Sequence, residues 1–391
     1  MHNSKNRLET PALPPLLPTY APYPFATLAG QGERIFDAHG GAWLDFYGGH
    51  CVASTGHCHP TVAAAIAEQA SKLIFYSAAA QLPVRDRAAA ALVEFAGNGM
   101  ASVFFCNSGA EANENALKIA LKLTGRKKFM AFCGAFHGRS LLALSVTDSL
   151  ALRKDYASLL APATFLPFGD AAALAAADFS EIAAVIVEPI QSMAGVKTTG
   201  REWFAALRSK CDDAGVLLIF DEVQTGIGRL GAPFAANFYD VQPDLITCAK
   251  GMASGVPMGG VLMCADIAAQ LQSGDLGSTF GGGPLACAAL LATLKVIRDE
   301  KLMEHAGALA KHIRANMAGA VRKIRGEGLL LGLDVGQHAK ALKAHLFQQH
   351  ILVGGSDDPV VLRLMPPLNI SMPAAETLLD AVNAFAAKVA A

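Results

Sequence analysis

The fold is decided by the stretch VLLIFDEVQ, residues 216–224. Its first five residues are all apolar, and the acid Asp221 follows them at once. An uninterrupted apolar run of this kind is typical of a strand that is buried on both faces of a parallel sheet. In open parallel sheets, ligands collect at the carboxyl ends of the strands, where Asp221 would lie. The stretch therefore predicts an α/β fold with an acid at the ligand-binding edge of its sheet.

Comparable apolar runs lie on both sides of this stretch. The runs that predict buried strands are Ser102–Cys106, Lys128–Cys133, Ile182–Glu188, Val216–Asp221, Leu245–Ala249 and Gly260–Cys264. Helices long enough to connect such strands are predicted at Ala110–Leu123, near Ser149–Leu160 and at Glu202–Ala214. Because strands and helices alternate, we expect a mostly parallel sheet with helices on both faces.

The pattern changes after Pro284, where a long helical region begins. Shorter elements follow it: strands at Gly328–Asp334 and Val360–Met365, and helices at His338–His350 and Pro373–Ala390. This mixture predicts a smaller α+β domain, completed by N-terminal strands near Arg34–Phe36 and Ala42–Phe46. We therefore predict three parts: residues 1–45 as an N-terminal arm and strands that contribute to the small domain, residues 46–283 as a large ligand-binding domain, and residues 284–391 as a linking helix and the C-terminal small domain.

Composition narrows the classes of function. The 391 residues include 32 basic and 33 acidic side chains, for a formal charge of −1. With this balance and no basic patch, the sequence predicts no nucleic-acid partner and no attraction to an anionic membrane. Charged residues make up 17% of the chain, below the roughly 25% of typical soluble domains. Much side-chain surface must therefore be buried, and an oligomer would bury more of it.

Two features bear on location. The eight cysteines include no CxxC pair and the N-terminus lacks a signal sequence, which predicts a protein of the reducing cytoplasm. The longest uncharged run, Leu276–Leu294, approaches the roughly 20 residues of a membrane span. Because Gly281–Pro284 divide this run, we predict a loop followed by a buried helix.

Two strand ends carry candidate groups for an anion and for a covalent bond. Ser108, Gly109 and Ala110 follow one strand and open a helix, whose free N–H groups favour a phosphate, although Ser108 could also cap the helix without any ligand. Lys250 ends the run Leu245–Ala249. Burying an ammonium is costly unless it is paired or converted, for instance to an imine with an aldehyde. A lysine that reaches to solvent is the alternative.

Two further strand ends carry an acid and an aromatic ring. Asp221 could be a metal ligand, a structural ion-pair partner or a catalytic group. Phe136 and Arg139 offer a ring that stacks on a flat ligand and a fork that holds a carboxylate, although core phenylalanines and surface arginines are common. Taken together, the four strand ends supply a phosphate cradle, an imine-forming lysine, a carboxylate for a pyridinium nitrogen and a stacking ring. These are the protein groups that pyridoxal 5′-phosphate requires.

These residues stand in longer stretches that resemble the class III, fold type I pyridoxal-phosphate aminotransferases, closest to the acetylornithine and succinylornithine aminotransferase group. The resemblance extends from about Tyr20 to the C-terminus. The matching stretches include LDFYGGHCVASTGHCHP (44–60), NSGAEANENALK (107–118), FHGRS (136–140), VEPIQ (187–191), LIFDEVQTGIGR (218–229), DLITCAKG (244–251), GSTFGGGPLACAA (277–289) and LRLMPPLNIS (362–371). The GHCHP turn belongs to this resemblance, so its histidines and cysteine predict no metal site.

The resemblance implies a role for each candidate residue. Lys250 and Asp221 are the catalytic residues, the first bound to the cofactor and the second beside its ring nitrogen. The implied cofactor contacts are Ser108, Gly109 and Ala110 at the phosphate, Phe136 and Val223 on the two ring faces, Gln224 at the ring hydroxyl, and Thr279 from the partner subunit. The implied substrate contacts are Tyr20, Arg139, Arg363 and Ser278. A homodimer with shared active sites follows.

The implied reaction moves the distal amino group of an N-acylornithine-like donor to 2-oxoglutarate, as in arginine biosynthesis. Alternatives are transamination of 4-aminobutyrate or a diamine, racemisation, and a non-catalytic protein with the same fold. Two departures from the family pattern bear on substrate choice. Ser192-Met193-Ala194-Gly195 replace a segment that usually contains a glutamate able to pair with the arginine at position 363, and Gly283 replaces an asparagine.

Overall fold

A seven-stranded sheet forms the centre of the computed structural model, which describes residues 16, 17, 19–317, 319 and 321–390. The strands are, in chain order, β1 Thr27–Gln31, β2 Arg34–Asp37, β3 Ala42–Asp45, β4 Met100–Cys106, β5 Lys128–Phe132, β6 Ala163–Leu166, β7 Ile182–Val187, β8 Ile190–Gln191, β9 Lys197–Thr198, β10 Leu217–Asp221, β11 Leu245–Cys248, β12 Gly259–Cys264, β13 Lys323–Glu327, β14 Leu330–Asp334, β15 Ile351–Leu352 and β16 Val361–Leu364. The central sheet has the order β4-β12-β11-β10-β7-β5-β6.

Helices connect and cover these strands. The α-helices are α1 Gly48–Cys51, α2 Pro60–Lys72, α3 Pro83–Ala96, α4 Gly109–Thr124, α5 Leu141–Ser145, α6 Leu150–Arg153, α7 Ala171–Ala176, α8 Arg201–Ala214, α9 Ala235–Tyr239, α10 Ala265–Ala268, α11 Pro284–Asp299, α12 Leu302–Asn316, α13 Ala339–Gln348 and α14 Met372–Ala390. Short 3₁₀ helices span Lys154–Leu159, Lys250–Ala253 and Gly336–His338.

The central sheet is mostly parallel, as predicted. Strands β11, β10, β7, β5 and β6 run parallel to one another, whereas β12 is antiparallel to both of its neighbours, β4 and β11. Every residue of β7 is buried, and four of the five in β10 are buried. This burial on both faces explains why both strands are continuous apolar runs in the sequence.

Smaller sheets link the two ends of the chain. Strands β1, β2 and β3 pair antiparallel, and β15 joins the edge of this sheet parallel to β3. Strands β13, β14 and β16 form a second antiparallel sheet. The N-terminal strands therefore pair with a strand from the C-terminal quarter of the chain. The three-part division at residues 45 and 283 stays a prediction, and residues 1–15 and 18 of the expected arm lie outside the described residues.

One predicted element is wrong as a regular helix. The region Ser149–Leu160 forms only the short α6 and the 3₁₀ turn Lys154–Leu159, and neither contains a buried residue. A helix of this length without a buried apolar face gains little from tertiary packing, so a continuous α-helix is not stabilised. The helix after Pro284 is confirmed, because α11 buries most of its length against α2 and α3. Within the described ranges, no helix is long and apolar enough to cross a membrane.

Candidate active site

A cavity of about 460 Å³ opens at the carboxyl edge of the central sheet, beside the ends of β4, β10 and β11. Strands β10 and β11 place two of the predicted residues there directly, since Asp221 is the last residue of β10 and Lys250 follows β11 by two positions. The predicted site residues that line the cavity are Tyr20, Ser108, Gly109, Ala110, Phe136, Arg139, Asp221, Val223, Gln224 and Lys250. The sheet edge thus brings together Ser108 and Lys250, which are 142 positions apart in the chain (250 − 108).

The start of α4 forms one wall of this cavity. Ser108 caps the helix, and its Oγ accepts the N–H of Glu111 at 3.2 Å. Among the described residues, the N–H groups of Gly109 and Ala110 have no hydrogen-bond acceptor, as expected for the first turn of a helix. A Cβ at Gly109 would lie 2.9 Å from the Val223 side chain, so only glycine allows this close approach. The helix start therefore offers free donors and a partial positive charge to an anion.

Lys250 occupies an unusual backbone position. Its φ of +45° is left-handed, a region that side chains other than glycine rarely adopt and that is often found at functional sites. The side chain is partly buried, and burial lowers the pKa of its ammonium, although the charge of Asp221 acts in the opposite direction. No ion pair or hydrogen bond of this ammonium is found in the described part of the chain. A lowered pKa favours the neutral amine, which is the nucleophilic and basic form.

Asp221 lies in a buried network of hydrogen bonds. His137 Nδ1 lies 2.7 Å from Asp221 Oδ2, and Asn113 Nδ2 donates to the same oxygen at 2.7 Å. The other oxygen, Oδ1, accepts the N–H of Val223 at 3.1 Å. All three donors hold the carboxylate in one orientation at the cavity wall. Since a carboxylate oxygen accepts in this pair, His137 donates from Nδ1.

Glu188 is a second buried acid on the cavity wall, and it was not among the predicted site residues. Burial raises the pKa of its carboxyl to about 7, while the nearby charges of His137 and Lys250 and a hydrogen bond from the backbone of Phe136 act to lower it. That bond runs from the N–H of Phe136 to Oε1 at 2.8 Å. Glu188 therefore fixes the loop that presents the Phe136 ring to the cavity.

A buried arginine, Arg363, does not line this cavity but lies close enough for its charge to act on the Lys250 ammonium. Arg363 is only 4% exposed, and burial lowers the pKa of its guanidinium. Its Nη1 donates to Ser192 Oγ at 2.9 Å, and its Nε donates to the carbonyl of Gly355. Within the described ranges, no carboxylate lies in ion-pair distance of this side chain. Arg363 thus retains an unneutralised positive charge, consistent with the segment Ser192-Met193-Ala194-Gly195, in which Met193 takes the place of the family's usual glutamate.

Two residues beside Arg363 were missed by sequence reasoning. The Tyr47 hydroxyl hydrogen-bonds the ring of His50, and the ring of His50 lies 5.7 Å from that of Tyr20. Burial raises the pKa of Tyr47 to about 12, against the opposing charge of Arg363. The segment Gly48–Cys51 has positive φ at every residue. In the sequence, two glycines before a histidine are the signal that could have indicated this left-handed turn and its constrained position.

The remaining predicted contacts lie at the rim of this cavity or outside it. Arg139 reaches its rim and is exposed. Ser278 reaches the site through Asn107, whose Nδ2 donates to Ser278 Oγ at 3.1 Å. Thr279 is exposed and does not line the cavity of its own chain. Its predicted role in a partner subunit stays a prediction.

The residues fit pyridoxal phosphate. The free N–H groups at Gly109 and Ala110 suit a phosphate, and the ring of Phe136 and the side chain of Val223 both face the same cavity. Gln224 Oε1 is buried without a hydrogen-bond partner in the part of the chain that the structure describes. A buried acceptor of this kind usually has a partner, so a ligand hydroxyl would satisfy it. The histidines of the GHCHP turn instead bind separate carboxylates, His57 at Asp45 and His59 at Glu300.

Comparison with known proteins agrees with this geometry. A sequence profile described as aminotransferase class-III matches residues 18–385. The acetylornithine aminotransferase of Archaeoglobus fulgidus is 41% identical over 356 residues, which cover 91% of this chain and 94% of the relative. The crystal structure of acetylornithine aminotransferase from Elizabethkingia anophelis has a TM-score of 0.83 at 31% identity, over 95% of this chain and 96% of the other.

A third match has a cofactor in its active site. The ornithine aminotransferase of Toxoplasma gondii, crystallised in the presence of oxidised glutathione, has a TM-score of 0.86 at 31% identity, over 94% of this chain and 92% of the other. Its structure shows partial occupancy of pyridoxal phosphate at the active site.

Proposed function

The chain belongs to the class-III aminotransferase family and is a pyridoxal-phosphate-dependent enzyme of fold type I, and on this premise we propose that it transfers the distal amino group of an N-acylornithine-like donor to 2-oxoglutarate, giving a semialdehyde and glutamate. The observation that carries the proposal is the Lys250 amine, which shares one cavity with Asp221 and Arg139. The acetylornithine aminotransferases among its relatives support the choice of donor.

Lys250 and Asp221 perform the proposed chemistry. Pyridoxal phosphate, when bound, supplies an aldehyde that carries the amino group and a ring that withdraws electrons from the reacting carbon. Lys250 would hold the cofactor through this aldehyde, and its free amine would remove a proton from the carbon that bears the donor's amino group. Its lowered pKa supports this role, because more of the amine is unprotonated near neutral pH. Asp221 holds a proton on the ring nitrogen.

The remaining cofactor contacts orient the ring. Ser108, Gly109 and Ala110 hold the phosphate at the start of α4, and Phe136 and Val223 enclose the ring. Gln224 donates to or accepts from the ring hydroxyl through its side-chain amide. These assignments rest on the lining of the cavity and on the unpartnered oxygen of Gln224.

Two arginines recognise the substrates in this proposal. Arg139 binds the α-carboxylate of the donor at the cavity rim, with Tyr20 beside it. Arg363, whose contacts to Ser192 and Gly355 are neutral, binds the second carboxylate of 2-oxoglutarate. The two carboxylates of the acceptor would then engage both arginines, whereas a donor with one carboxylate would need only Arg139.

We also propose a homodimer with shared active sites. An apolar patch, defined here as Leu73–Tyr76 together with Phe280, lies on the surface: Ile74 and Phe280 are each 63% exposed, and the rings of Phe75 and Phe280 lie 5.1 Å apart. Exposed apolar patches of this kind mark interaction sites. A second copy that covers this patch would also receive Thr279, which is adjacent to Phe280.

Mixing two inactive variants tests the shared site. Lys250→Ala and Thr279→Arg subunits should each be nearly inactive alone, because each lacks one part of every site. Coexpressed, they should regain activity, since a mixed dimer contains one site with both Lys250 and Thr279. No recovery in demonstrably mixed dimers would contradict shared sites, and a monomer in sedimentation experiments would contradict the dimer.

A donor panel tests the proposed reaction. N-acetylornithine, N-succinylornithine, ornithine, 4-aminobutyrate and putrescine are each supplied with 2-oxoglutarate, and glutamate formation is followed. We expect an N-acylated ornithine to give the highest kcat/KM. A tenfold preference for 4-aminobutyrate or putrescine would favour the alternative ω-amine reactions. Loss of optical activity from a chiral donor without glutamate formation would indicate a racemase.

A further inference from the structure

We propose that Asn113 is a positioning residue that fixes Asp221 through its side-chain amide, and that Thr247 fixes the orientation of that amide. The proposal rests on the proposed role of Asp221 beside the ring nitrogen of the cofactor. Neither Asn113 nor Thr247 belongs to the catalytic and binding residues assigned above.

A single amide joins three parts of the site. Asn113 Nδ2 donates to Asp221 Oδ2 at 2.7 Å and to the backbone carbonyl of His137 at 2.7 Å. Its Oδ1 accepts the hydroxyl of Thr247 at 2.6 Å. Asn113 is 1% exposed and Thr247 is 0% exposed. Water therefore cannot replace any of these hydrogen bonds, and all three amide contacts are made within the protein.

The orientation of the amide follows from its neighbours. If the amide were flipped, Asn113 Oδ1 would face the Asp221 carboxylate and the carbonyl of His137, which are both acceptors. Such a contact would leave buried acceptors without donors. In the orientation that Asp221 and His137 require, the Thr247 hydroxyl donates to Oδ1 and holds the amide in place.

Counting acceptor positions shows what the network leaves free on Asp221. Oδ2 receives two donors, Asn113 Nδ2 and His137 Nδ1, and Oδ1 receives only the N–H of Val223. A carboxylate has about four acceptor positions, two on each oxygen. One position therefore remains, on Oδ1, and we assign it to the ring nitrogen of the cofactor. Without Asn113, Oδ2 would also have a free position and the carboxylate could rotate.

The same amide connects the elements that hold both ends of the cofactor. Asn113 lies on α4, whose first turn offers its N–H groups to the phosphate. Thr247 lies on β11, three residues before Lys250, and it pairs in register with Asp221 on β10. The phosphate end, the lysine and the acid are thus held at fixed relative positions by one buried side chain.

Two pairs of variants of the holoenzyme separate positioning from simple space filling. Asn113→Leu removes the amide at similar volume, and Asn115→Leu is its matched control on the same helix, where the amide donates to the backbone carbonyl of Glu111 instead of to Asp221. Thr247→Val removes the hydroxyl at similar volume, and Thr247→Ser restores it. Two properties are measured for each variant: the rate at which bound cofactor is lost on dilution, and the pH midpoint of the near-visible absorbance of the bound cofactor.

The expected changes follow from a loosened Asp221. Cofactor loss should become about 10-fold faster in Asn113→Leu, since a hydrogen bond to a charged group is lost. The absorbance midpoint should rise by about one pH unit, because a weaker charge on the ring opposes the proton on the Lys250 nitrogen less strongly. Thr247→Val should show smaller changes in the same direction, and Thr247→Ser and Asn115→Leu should match the parent. The double variant Asn113→Leu/Thr247→Val should be no worse than Asn113→Leu alone.

The proposal is overturned if Asn113→Leu and Thr247→Val keep the parent midpoint and release cofactor within about twofold of the parent rate. A purely structural role would speed release without moving the midpoint, and this result would also overturn it. If Asn113→Leu yields no holoenzyme, the Thr247 pair decides in the same way. Failure of the proposed function is distinguishable, since the parent itself would then lack a near-visible absorbance that depends on Lys250.

Discussion

Two regions of the active site differ in how their charged groups are partnered: the acid side, around Asp221, and the substrate side, around Arg363 and Arg139. Around Asp221, Asn113, His137 and Thr247 are buried and bonded to one another at 2.6–2.7 Å. Around Arg363, a buried guanidinium has only neutral partners, and Arg139 extends to solvent. The first region has a single acceptor position left to fill on Asp221, whereas the second has two cations without a counter-ion among the described residues.

Under the proposed assignment, this difference separates the part of the site that serves the cofactor from the part that serves a changing ligand. A saturated network of buried hydrogen bonds stays rigid and keeps its geometry for every substrate. A buried cation without an anion is costly, and a substrate carboxylate relieves that cost whenever it binds. We therefore expect substitutions on the acid and lysine side to abolish chemistry, and substitutions on the substrate side to change the Michaelis constants.

The largest effect should come from Lys250, which belongs to the cofactor side. Lys250→Ala should reduce kcat by about 10³-fold or more, because the amine that moves the proton is absent. Steady-state glutamate formation measures this change, with the exposed Lys197→Ala as the control. Full turnover in Lys250→Ala would contradict the proposal that this amine moves the proton.

Arg139→Leu should weaken the binding of both substrates. We expect KM to rise by about 10- to 100-fold for donor and acceptor alike, since both lose a charge-assisted hydrogen bond. The near-visible absorbance of the bound cofactor should stay as in the parent. An unchanged donor KM would argue against this arginine as the α-carboxylate clamp.

Arg363→Met should change the KM of the acceptor and that of the donor to different extents. With N-acetylornithine as the donor, only the acceptor has a second carboxylate, so its KM should rise by about 10-fold or more while the donor KM changes little. Arg363→Lys keeps the charge and should show a smaller rise. Equal rises for donor and acceptor in Arg363→Met would show that the two substrates use this arginine in the same way.

Ser192→Glu should give Arg363 an anionic partner within the protein, so that the substrate side resembles the acid side. A carboxylate beside Nη1 of Arg363 would compete with the acceptor, and we expect its KM to rise by about 3- to 10-fold. Ser192→Ala is the control, because it introduces no charge. A lower acceptor KM in Ser192→Glu would contradict the idea that Arg363 is kept free for an anion.

The smallest expected effect concerns pH and Glu188. Its folded pKa of about 7 lies above the ordinary value of 4.5, so the folded state keeps a proton that the unfolded chain loses in this interval. Stability should therefore fall as pH rises from 4.5 to 7. Over this pH interval, the thermal midpoint of Glu188→Gln should fall by about 5 °C less than that of the parent. The exposed Glu181→Gln should not, and an identical slope in parent and Glu188→Gln would refute the shift.

The sequence predicted the central sheet because its strands are buried on both faces. Runs such as Ile182–Val187 are apolar throughout and cannot be mistaken for surface segments. It missed the edge strand Ala163–Leu166 and the strand Lys323–Glu327, which are only partly buried and contain polar residues. The helices Pro60–Lys72 and Pro83–Ala96 were also missed, since their many alanines give a weak apolar period.

The sequence also predicted most of the cavity but not its supporting network. Strand ends point to Asp221 and Lys250, because a parallel sheet collects its ligands there. Asn113 instead lies inside a helix, and only its position on the apolar face with Ala116 and Leu117 could have indicated a buried amide. The neighbours of Arg363, such as Tyr47 and His50, come from distant parts of the chain, so no local pattern could have assembled them.

The most direct test of the account is to locate the bond between protein and cofactor. The holoenzyme is reduced with borohydride, which makes an imine permanent, then digested, and the peptide that carries the cofactor is identified by mass spectrometry. We predict that the cofactor is found on Lys250. Reduction that leaves the cofactor on another lysine, or on no residue of the folded holoenzyme, would contradict the central claim.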